Sequence, residues 1–220
     1  MRNELRNPAD DSTLSSNSYN WGTWYTNMVA AAKDINAANP DILIFFSGLN
    51  FDTTLTPVVA GTALSPSTTT FTKSDFTFSN KIVLELHNYE NSVTSCSTLQ
   101  SDLVGDGFST LTATSGDAFP MVVTEWGHDQ TDGSYSGVYA SCLHSYLPAQ
   151  HVGWMIWVLA GSYYIRSGTQ DSDETWGMYM IPRVRMDSDV LEGLYNHNWT
   201  AWRSEAAIAN LKTMVQATLA

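Results

Sequence analysis

Four short runs of apolar residues recur along the chain, and they restrict its fold more than any other feature. They lie at residues 41–46, 81–86, 119–124 and 152–157. Each run is apolar almost throughout, instead of alternating between apolar and polar residues. That pattern is typical of strands buried on both faces of a parallel sheet. Because parallel strands need crossover connections, the runs also predict helices between them.

The spacing of apolar residues predicts where those helices lie. Residues 21–38 repeat their apolar side chains at helical intervals and end before Asn39-Pro40. The other expected helices lie within residues 99–113, over residues 135–146 up to Pro148, and from the capping residue Ser204 to residue 219. The stretches 52–79 and 158–203 read as long loops, the first with a short helix near residues 55–59. Strands that alternate with helices predict an α/β fold.

Two α/β architectures fit this alternation. The spacing suits a (β/α)₈ barrel, and a doubly wound open sheet is the alternative. Neither GxGxxG nor GxxxxGKS follows any of the four runs, so nucleotide binding has no support. The expected fold class is α/β, in which the spacing favours a (β/α)₈ TIM barrel and the doubly wound sheet stays open as the alternative.

The charge of the chain limits the classes of partner it can bind, and its cysteines allow two interpretations. The chain has 220 residues, a formal net charge of −12 and ten Lys plus Arg, which argues against nucleic acid or an anionic membrane surface. A neutral polymer such as a polysaccharide is compatible with this charge. Cys96 and Cys142 show no metal-ligand spacing and read either as two buried thiols or as a pair. No apolar stretch reaches the length of a membrane span.

Polar groups follow the runs where barrel enzymes carry their catalytic residues, at the carboxyl ends of strands. Asn3-Glu4 stands at the chain start, and Glu125 comes directly after residues 121–124. His87 and Tyr89 follow the second run, and Trp157 closes the fourth. Cleavage of a glycosidic bond needs two carboxyl groups, one as acid and one as nucleophile or base. Glu4 and Glu125 could supply them.

The order Asn-Glu, His-x-Tyr, Glu-Trp-Gly, Trp resembles glycoside hydrolase family 5, in a cellulase-like eukaryotic branch. The motifs that carry the resemblance are RNELRNP at residues 2–8, LHNY at 86–89, VTEWG at 123–127 and IWVLAGSYYIR at 156–166. They look like the family's fourth, sixth, seventh and eighth barrel strands. The resemblance therefore implies a barrel that is N-terminally truncated, with strands four to eight present and strands one to three absent.

The resemblance also implies a retaining double-displacement mechanism on a β-linked polysaccharide. Glu4 would be the acid/base and Glu125 the nucleophile, with their carboxyls about 5 Å apart. Asn3 would bind the sugar 2-hydroxyl, and Tyr89 would donate to Glu125 and keep it ionised.

Further assignments come from the same resemblance. The substrate-binding set is completed by His87 beside the carboxylates, Trp126, and Trp157 as the floor of a subsite. Cys96 and Cys142 would form a disulfide, since relatives share the pair. No cofactor and no metal are expected. A β-glucan would be the partner, with no nucleic acid, no membrane, and a monomer when the barrel is complete.

The departures from the family bear on activity. We expect the 220 residues alone to show no appreciable glycosidase activity, and a version extended by three N-terminal strands to hydrolyse a β-glucan. The alternatives are an inactive fragment and a non-catalytic carbohydrate-binding remnant.

The whole chain reads as a single partial catalytic domain, with residues 178–193 as an inserted loop or a retained intron. The full-length relative would be extracellular, although the chain start shows no signal peptide. Residues 198–200 form a glycosylation sequon.

Overall fold

A computed structural model describes residues 20–113, 118–131, 133–166, 169–173 and 193–220. Four strands form a sheet in the order β1-β2-β3-β4, and two more form an antiparallel hairpin. The strands are β1 Ile44–Ser47, β2 Ile82–Asn88, β3 Met121–Trp126, β4 Gly153–Trp154, β5 Ser162–Arg166 and β6 Thr169–Asp173. The α-helices are α1 Trp21–Ala38, α2 Thr56–Val59, α3 Cys96–Asp106, α4 Val138–Ala149 and α5 Glu205–Leu219.

Contacts divide the chain into two compact units. The first comprises the described residues up to His87 together with Gln100–Thr124, and the second comprises Asn88–Leu99 and the described residues from Glu125 onward. Strands β2 and β3 both cross the division at their carboxyl ends.

The first unit is built on a cluster of aromatic rings. Helix α1 has the predicted bounds, and the Asn20 side chain caps it by accepting from the amide of Thr23 at 3.1 Å. Trp24 of this helix is almost fully buried, and its ring packs against Phe46 of β1 and against Phe71. Strand β1 pairs with β2 in parallel, with Ile44 beside Ile82 and Ser47 beside Glu85. The parallel pairing predicted from the apolar runs is confirmed here.

Two of the predicted strands are shorter than their apolar runs. Strand β1 begins at Ile44, while Ile42 and Leu43 are exposed and precede it. Strand β4 contains two of the six residues expected, and Met155 beyond it is exposed. The prediction of strands buried on both faces fails at these positions, since Phe45 within β1 is 41% exposed. An apolar run shows that a strand is possible, but pairing with neighbours decides its length.

The second unit packs α5 against α4. The predicted cap of α5 is confirmed, because the Ser204 hydroxyl accepts from the amide of Ala207 at 3.2 Å. Pro148 was expected to stop the preceding helix but lies inside the last turn of α4, which ends at Ala149. The helix expected within residues 99–113 begins earlier, at Cys96, and ends at Asp106, followed by a 3₁₀ turn at Phe108–Thr112.

The segment between β4 and α5 was expected to be a loop, but it contains the β5-β6 hairpin, with Ser162 paired to Asp173 and Arg166 to Thr169. The possible insertion at residues 178–193 lies outside the described residues except for Gly193, so its nature stays a prediction.

A disulfide joins Cys96 at the start of α3 to Cys142 of α4, with the two Cα atoms 5.4 Å apart. The predicted pairing is confirmed. Both cysteines belong to the second unit, where the bond connects the segment after β2 to helix α4. Because 46 positions of sequence separate them, the bond removes a large loop-closure entropy from the unfolded chain.

We expect reduction of this disulfide to lower the free energy of unfolding by about 4 kcal/mol, from the loop-entropy relation for a loop of this length. Urea unfolding of the chain with and without dithiothreitol measures the difference. The double variant Cys96→Ser/Cys142→Ser is the control, because its midpoint should not respond to the reductant. An unchanged midpoint for the wild-type chain would contradict the prediction.

Candidate active site

Glu125 is the second-last residue of strand β3, at the carboxyl end of the strand, and its side chain is 8% exposed. The hydroxyl of Tyr89 donates a hydrogen bond to Glu125 Oε2 at 3.1 Å. The hydrogen bond expected between these two residues is therefore present. A hydrogen bond donated to a carboxylate favours its charged form and offsets part of the cost of its burial.

Tyr89 is held in place by the segment that follows β2. The strand extends through Asn88, and the buried Tyr139 hydroxyl of α4 donates to the Asn88 carbonyl. The Asn88 side chain donates to Glu90 Oε1 at 3.0 Å, and the amide of Asn91 donates to the Tyr89 carbonyl at 2.8 Å. The backbone on both sides of Tyr89 is therefore fixed, which fixes where its hydroxyl can reach.

Trp126 directly follows Glu125 and is fully buried. Its indole ring makes edge contacts with Tyr139, His144 and Trp154, at centroid distances of 6.4, 5.6 and 6.1 Å. A fully buried indole has no face to offer a sugar, so this placement argues against the substrate-binding role predicted for Trp126. Its packing instead anchors the strand end that carries Glu125.

Trp157 belongs to the same unit as Glu125. Its amide donates to the Trp126 carbonyl at 2.8 Å, and its side chain is half-buried. The structure thus brings Tyr89, Glu125 and Trp157 onto one framework of backbone hydrogen bonds. Unlike Trp126, Trp157 keeps part of its surface accessible.

His87 lies in the first unit, where its side chain contacts a loop carboxylate. The side chain is 4% exposed, and Nε2 lies 3.5 Å from Oδ2 of the fully buried Asp52. Burial lowers the pKa of His87 to about 4, and a hydrogen bond with the Phe51 backbone opposes the change only in part. The imidazole is therefore neutral at pH 7, and its contact with Asp52 is not an ion pair. This environment suits a positioning residue better than one that binds substrate directly.

Asp52 is a buried contact of His87 that the sequence did not reveal. The His87 amide donates to its carbonyl at 2.7 Å, and the Gly48 amide donates to its Oδ1. The carboxylate reaches this position because Asn50, Phe51 and Asp52 all have positive φ angles, of 52°, 60° and 63°. A left-handed conformation at three successive residues other than glycine is rare and marks a loop with a specific task. Asn and Asp after the strand were the available sequence signal.

Asn3 and Glu4 lie outside the described residues, so the separation of the Glu4 and Glu125 carboxyls stays a prediction. Across the described ranges, no cluster of three His, Cys, Asp or Glu side chains could hold a metal ion. No helix in the part of the chain that the structure describes is long and apolar enough to cross a membrane.

A comparison with protein families identifies the class to which this chain belongs. The family model for Cellulase (glycosyl hydrolase family 5) matches residues 2–162. The chain therefore belongs to glycoside hydrolase family 5. Among individual proteins, it is 29% identical over 231 aligned positions to a glycosyl hydrolase 5 family protein of Chamaecyparis obtusa, an alignment that covers 98% of this chain and 34% of that one.

Solved structures with the same fold include a β-glucanase of Saccharophagus degradans. Its TM-score is 0.55 at 16% identity, covering 94% of this chain and 51% of the β-glucanase. An endocellulase of Pyrococcus horikoshii, solved with cellotetraose, gives a TM-score of 0.53 at 14% identity and covers 89% and 48% of the two chains. These neighbours are TIM-barrel enzymes, which agrees with the parallel α/β sheet seen here. The chain spans about half the length of these structures and about a third of the curated relative.

The lowered pKa of His87 makes a prediction about stability and pH. The folded chain holds His87 at a pKa of about 4, against 6.5 for a free histidine, so the unfolded chain binds more protons between these values. The contribution of His87 to the free energy of unfolding is fully present above pH 6.5. It falls by about 3 kcal/mol as the pH drops toward 4. His87→Gln should flatten the pH dependence of the unfolding free energy in this window.

The matched control is His151→Asn, because His151 is exposed and has a positive φ angle that asparagine tolerates. His144, whose pKa is also lowered to about 4 by burial and by the charge of His128, keeps part of the dependence in both variants. A His87→Gln variant with the same slope as wild type between pH 4 and 6.5 would refute the assignment.

A double-mutant cycle tests the bond between Tyr89 and Glu125. Tyr89→Phe removes a hydrogen bond to a charged group and should cost about 1.5–3 kcal/mol of unfolding free energy. In a Glu125→Gln background the same change should cost less, because the charge is gone. Tyr146→Phe, on the half-buried Tyr146 of α4, serves as the control. Equal costs in the two backgrounds would show that no coupling exists.

Proposed function

We propose that this chain carries the nucleophile of a retaining β-glycosidase that hydrolyses a β-linked polysaccharide, in the manner of a cellulase. The observation that carries the proposal is the buried carboxylate of Glu125 at the carboxyl end of a parallel strand, with the Tyr89 hydroxyl on one of its oxygens. Catalytic groups of barrel enzymes occupy this position. Membership of glycoside hydrolase family 5 supports the reaction class.

In this reaction Glu125 attacks the anomeric carbon while Glu4 protonates the departing glycosidic oxygen. The bond between carbon and leaving oxygen breaks, and a covalent glycosyl ester on Glu125 forms. Glu4, now ionised, takes a proton from water, which attacks the same carbon and releases Glu125. Asn3 holds the sugar 2-hydroxyl, and Trp157 offers its accessible surface to the sugar. Tyr89 keeps the Glu125 carboxylate oriented. The contact between His87 and Asp52 fixes the end of strand β2, which directly precedes Tyr89 in the chain.

The alternative is a chain that binds carbohydrate without cleaving it, or that lacks activity. The two functions differ in one chemical event, the formation of the ester on Glu125.

The setting proposed for the protein is extracellular. The disulfide between Cys96 and Cys142 is the supporting observation, since such bonds persist in oxidising compartments. A neutral β-glucan suits a chain with net charge −12 better than an anionic polymer does.

A mechanism-based inactivator gives the most sensitive test. A 2-deoxy-2-fluoro-β-cellobioside with a good leaving group should esterify Glu125, and mass spectrometry of the digested chain should place the label on the peptide that contains it. Glu125→Gln should abolish labelling, because the amide cannot attack. Glu205→Gln, at the exposed first turn of α5, should label like wild type. A label on another residue would move the nucleophile elsewhere, and a chain that binds cellobioside but takes no label would favour the non-catalytic alternative.

A further inference from the structure

The loop before α5 presents a tryptophan at the surface in an unusual way. Trp199 is 49% exposed and has a φ angle of 60°, which is rare for a bulky residue. Such a conformation costs about 1–3 kcal/mol and persists only when the surroundings enforce it. Burial does not account for that cost, because half of the side chain faces water.

The indole is held from two directions. Its Nε1 donates to the Ser162 hydroxyl at 3.2 Å, and its ring stacks with Tyr195 at a centroid distance of 5.8 Å and an interplanar angle of 23°. Tyr195 in turn stacks on Trp202 at 4.3 Å and 26°. The three rings form a stack with Trp199 at its exposed end. We name Tyr195, Trp199 and Trp202 the aromatic platform.

The loop beneath the platform is closed by hydrogen bonds. Tyr195 and Trp202 form an antiparallel bridge, and the Asn196 amide donates to the Ala201 carbonyl at 2.9 Å. The Asn196 side-chain oxygen accepts from the amide of Thr200, also at 2.9 Å. A side chain on Gly161 would clash with the Asn196 carbonyl and touch the indole, so glycine is needed there. The orientation of Trp199 is thus set before any ligand arrives.

The platform is continuous with the segment that follows Trp157. The amides of Leu194 and Tyr195 donate to the carbonyls of Val158 and Ala160, at 3.0 and 2.9 Å. Arg203 adds a hydrogen bond from its guanidinium to the Gly161 carbonyl at 3.2 Å. The same backbone stretch therefore supports both Trp157 and the platform, within one compact unit.

We propose that the aromatic platform is a second carbohydrate-binding surface, which holds a sugar ring of a neutral β-glucan by stacking on Trp199. A β-linked glucose unit has equatorial hydroxyls, so its ring faces are apolar C–H surfaces that match a flat indole. The exposed polar residues Asn198 and Thr200 flank Trp199 in the chain and offer hydrogen-bonding groups for the hydroxyls of a bound sugar. The net charge of −12 disfavours anionic polymers on this surface. This inference rests on the proposed function for the identity of the polymer.

Native gel electrophoresis with a soluble β-glucan in the gel tests the platform. The chain is produced in the oxidising periplasm of a bacterial host that adds no N-linked glycan, so that Asn198 stays unmodified beside the indole. Hydroxyethylcellulose should retard the wild-type chain relative to a gel without polymer. Trp199→Ala should weaken binding about tenfold, the size expected for the loss of one stacked ring contact.

Two further variants keep the test decisive. Trp199→Asn removes the ring but suits the left-handed backbone, so it should fold even where the alanine variant does not, and it should lose retardation equally. Leu159→Ala removes an exposed apolar side chain of the neighbouring segment and should be retarded like wild type. Retardation of Trp199→Asn equal to wild type would overturn the proposal, as would an equal loss in Leu159→Ala.

Failure of the platform and failure of the proposed function give different results. Glu205→Gln, at the exposed first turn of α5, leaves both the nucleophile and the platform intact and should be retarded like wild type. If wild type takes no label from the inactivator while Trp199→Asn loses retardation, the platform stands without the catalytic assignment. If Glu125 is labelled while Trp199→Asn is retarded like wild type, the catalytic assignment stands without the platform.

Discussion

A carboxylate removed from water is stable only where other groups donate hydrogen bonds to it, and this constraint organises the second unit. Glu125 is 8% exposed, and the Tyr89 hydroxyl meets its Oε2. That hydroxyl can be in place only if the chain after β2 is fixed. Tyr139 of α4 fixes it by bonding the Asn88 carbonyl, and the disulfide fixes the same segment to the same helix seven residues after Tyr89, at Cys96. Helix α4 thus fixes the position of Tyr89, which follows strand β2 and is not part of the helix.

The sequence predicted those elements whose signals are local. Helix α1 was predicted to its observed bounds, since its apolar spacing and the following Asn39-Pro40 lie within one stretch of chain. The strand ends that carry His87 and Glu125 were also predicted, because an apolar run followed by a polar group is a local pattern. The resemblance to glycoside hydrolase family 5 supplied their proposed roles, and the family itself is now shown.

Features that depend on contacts between distant residues could not be read in the same way. The burial of Trp126 depends on ring contacts with Tyr139, His144 and Trp154. No local sequence pattern distinguishes such a buried indole from an accessible one. The sequence indicated only that Asp52 lies in a loop. Its contact is with His87, 35 positions later in the chain, and no local pattern reveals that contact. Strand β6 has the sequence TQDSD, which carries no apolar alternation, so the hairpin could not be expected.

Two loops, at residues 50–52 and at Trp199, share the same kind of backbone strain. Asn50, Phe51 and Asp52 take left-handed conformations in the first unit, and Trp199 takes one in the second. Each costs free energy, and Phe51 and Trp199 cost most because their side chains crowd the backbone in that region. In both loops tertiary contacts offset the cost: the Gly48 amide and His87 meet Asp52, and Ser162 and Tyr195 meet Trp199. In the first loop the strain aims a carboxylate at a buried imidazole, whereas in the second it leaves an aromatic face turned toward solvent. A strained residue whose side chain remains half in water contributes little to the stability of the fold, and this physical difference separates the structural role of Asp52 from the binding role assigned to Trp199.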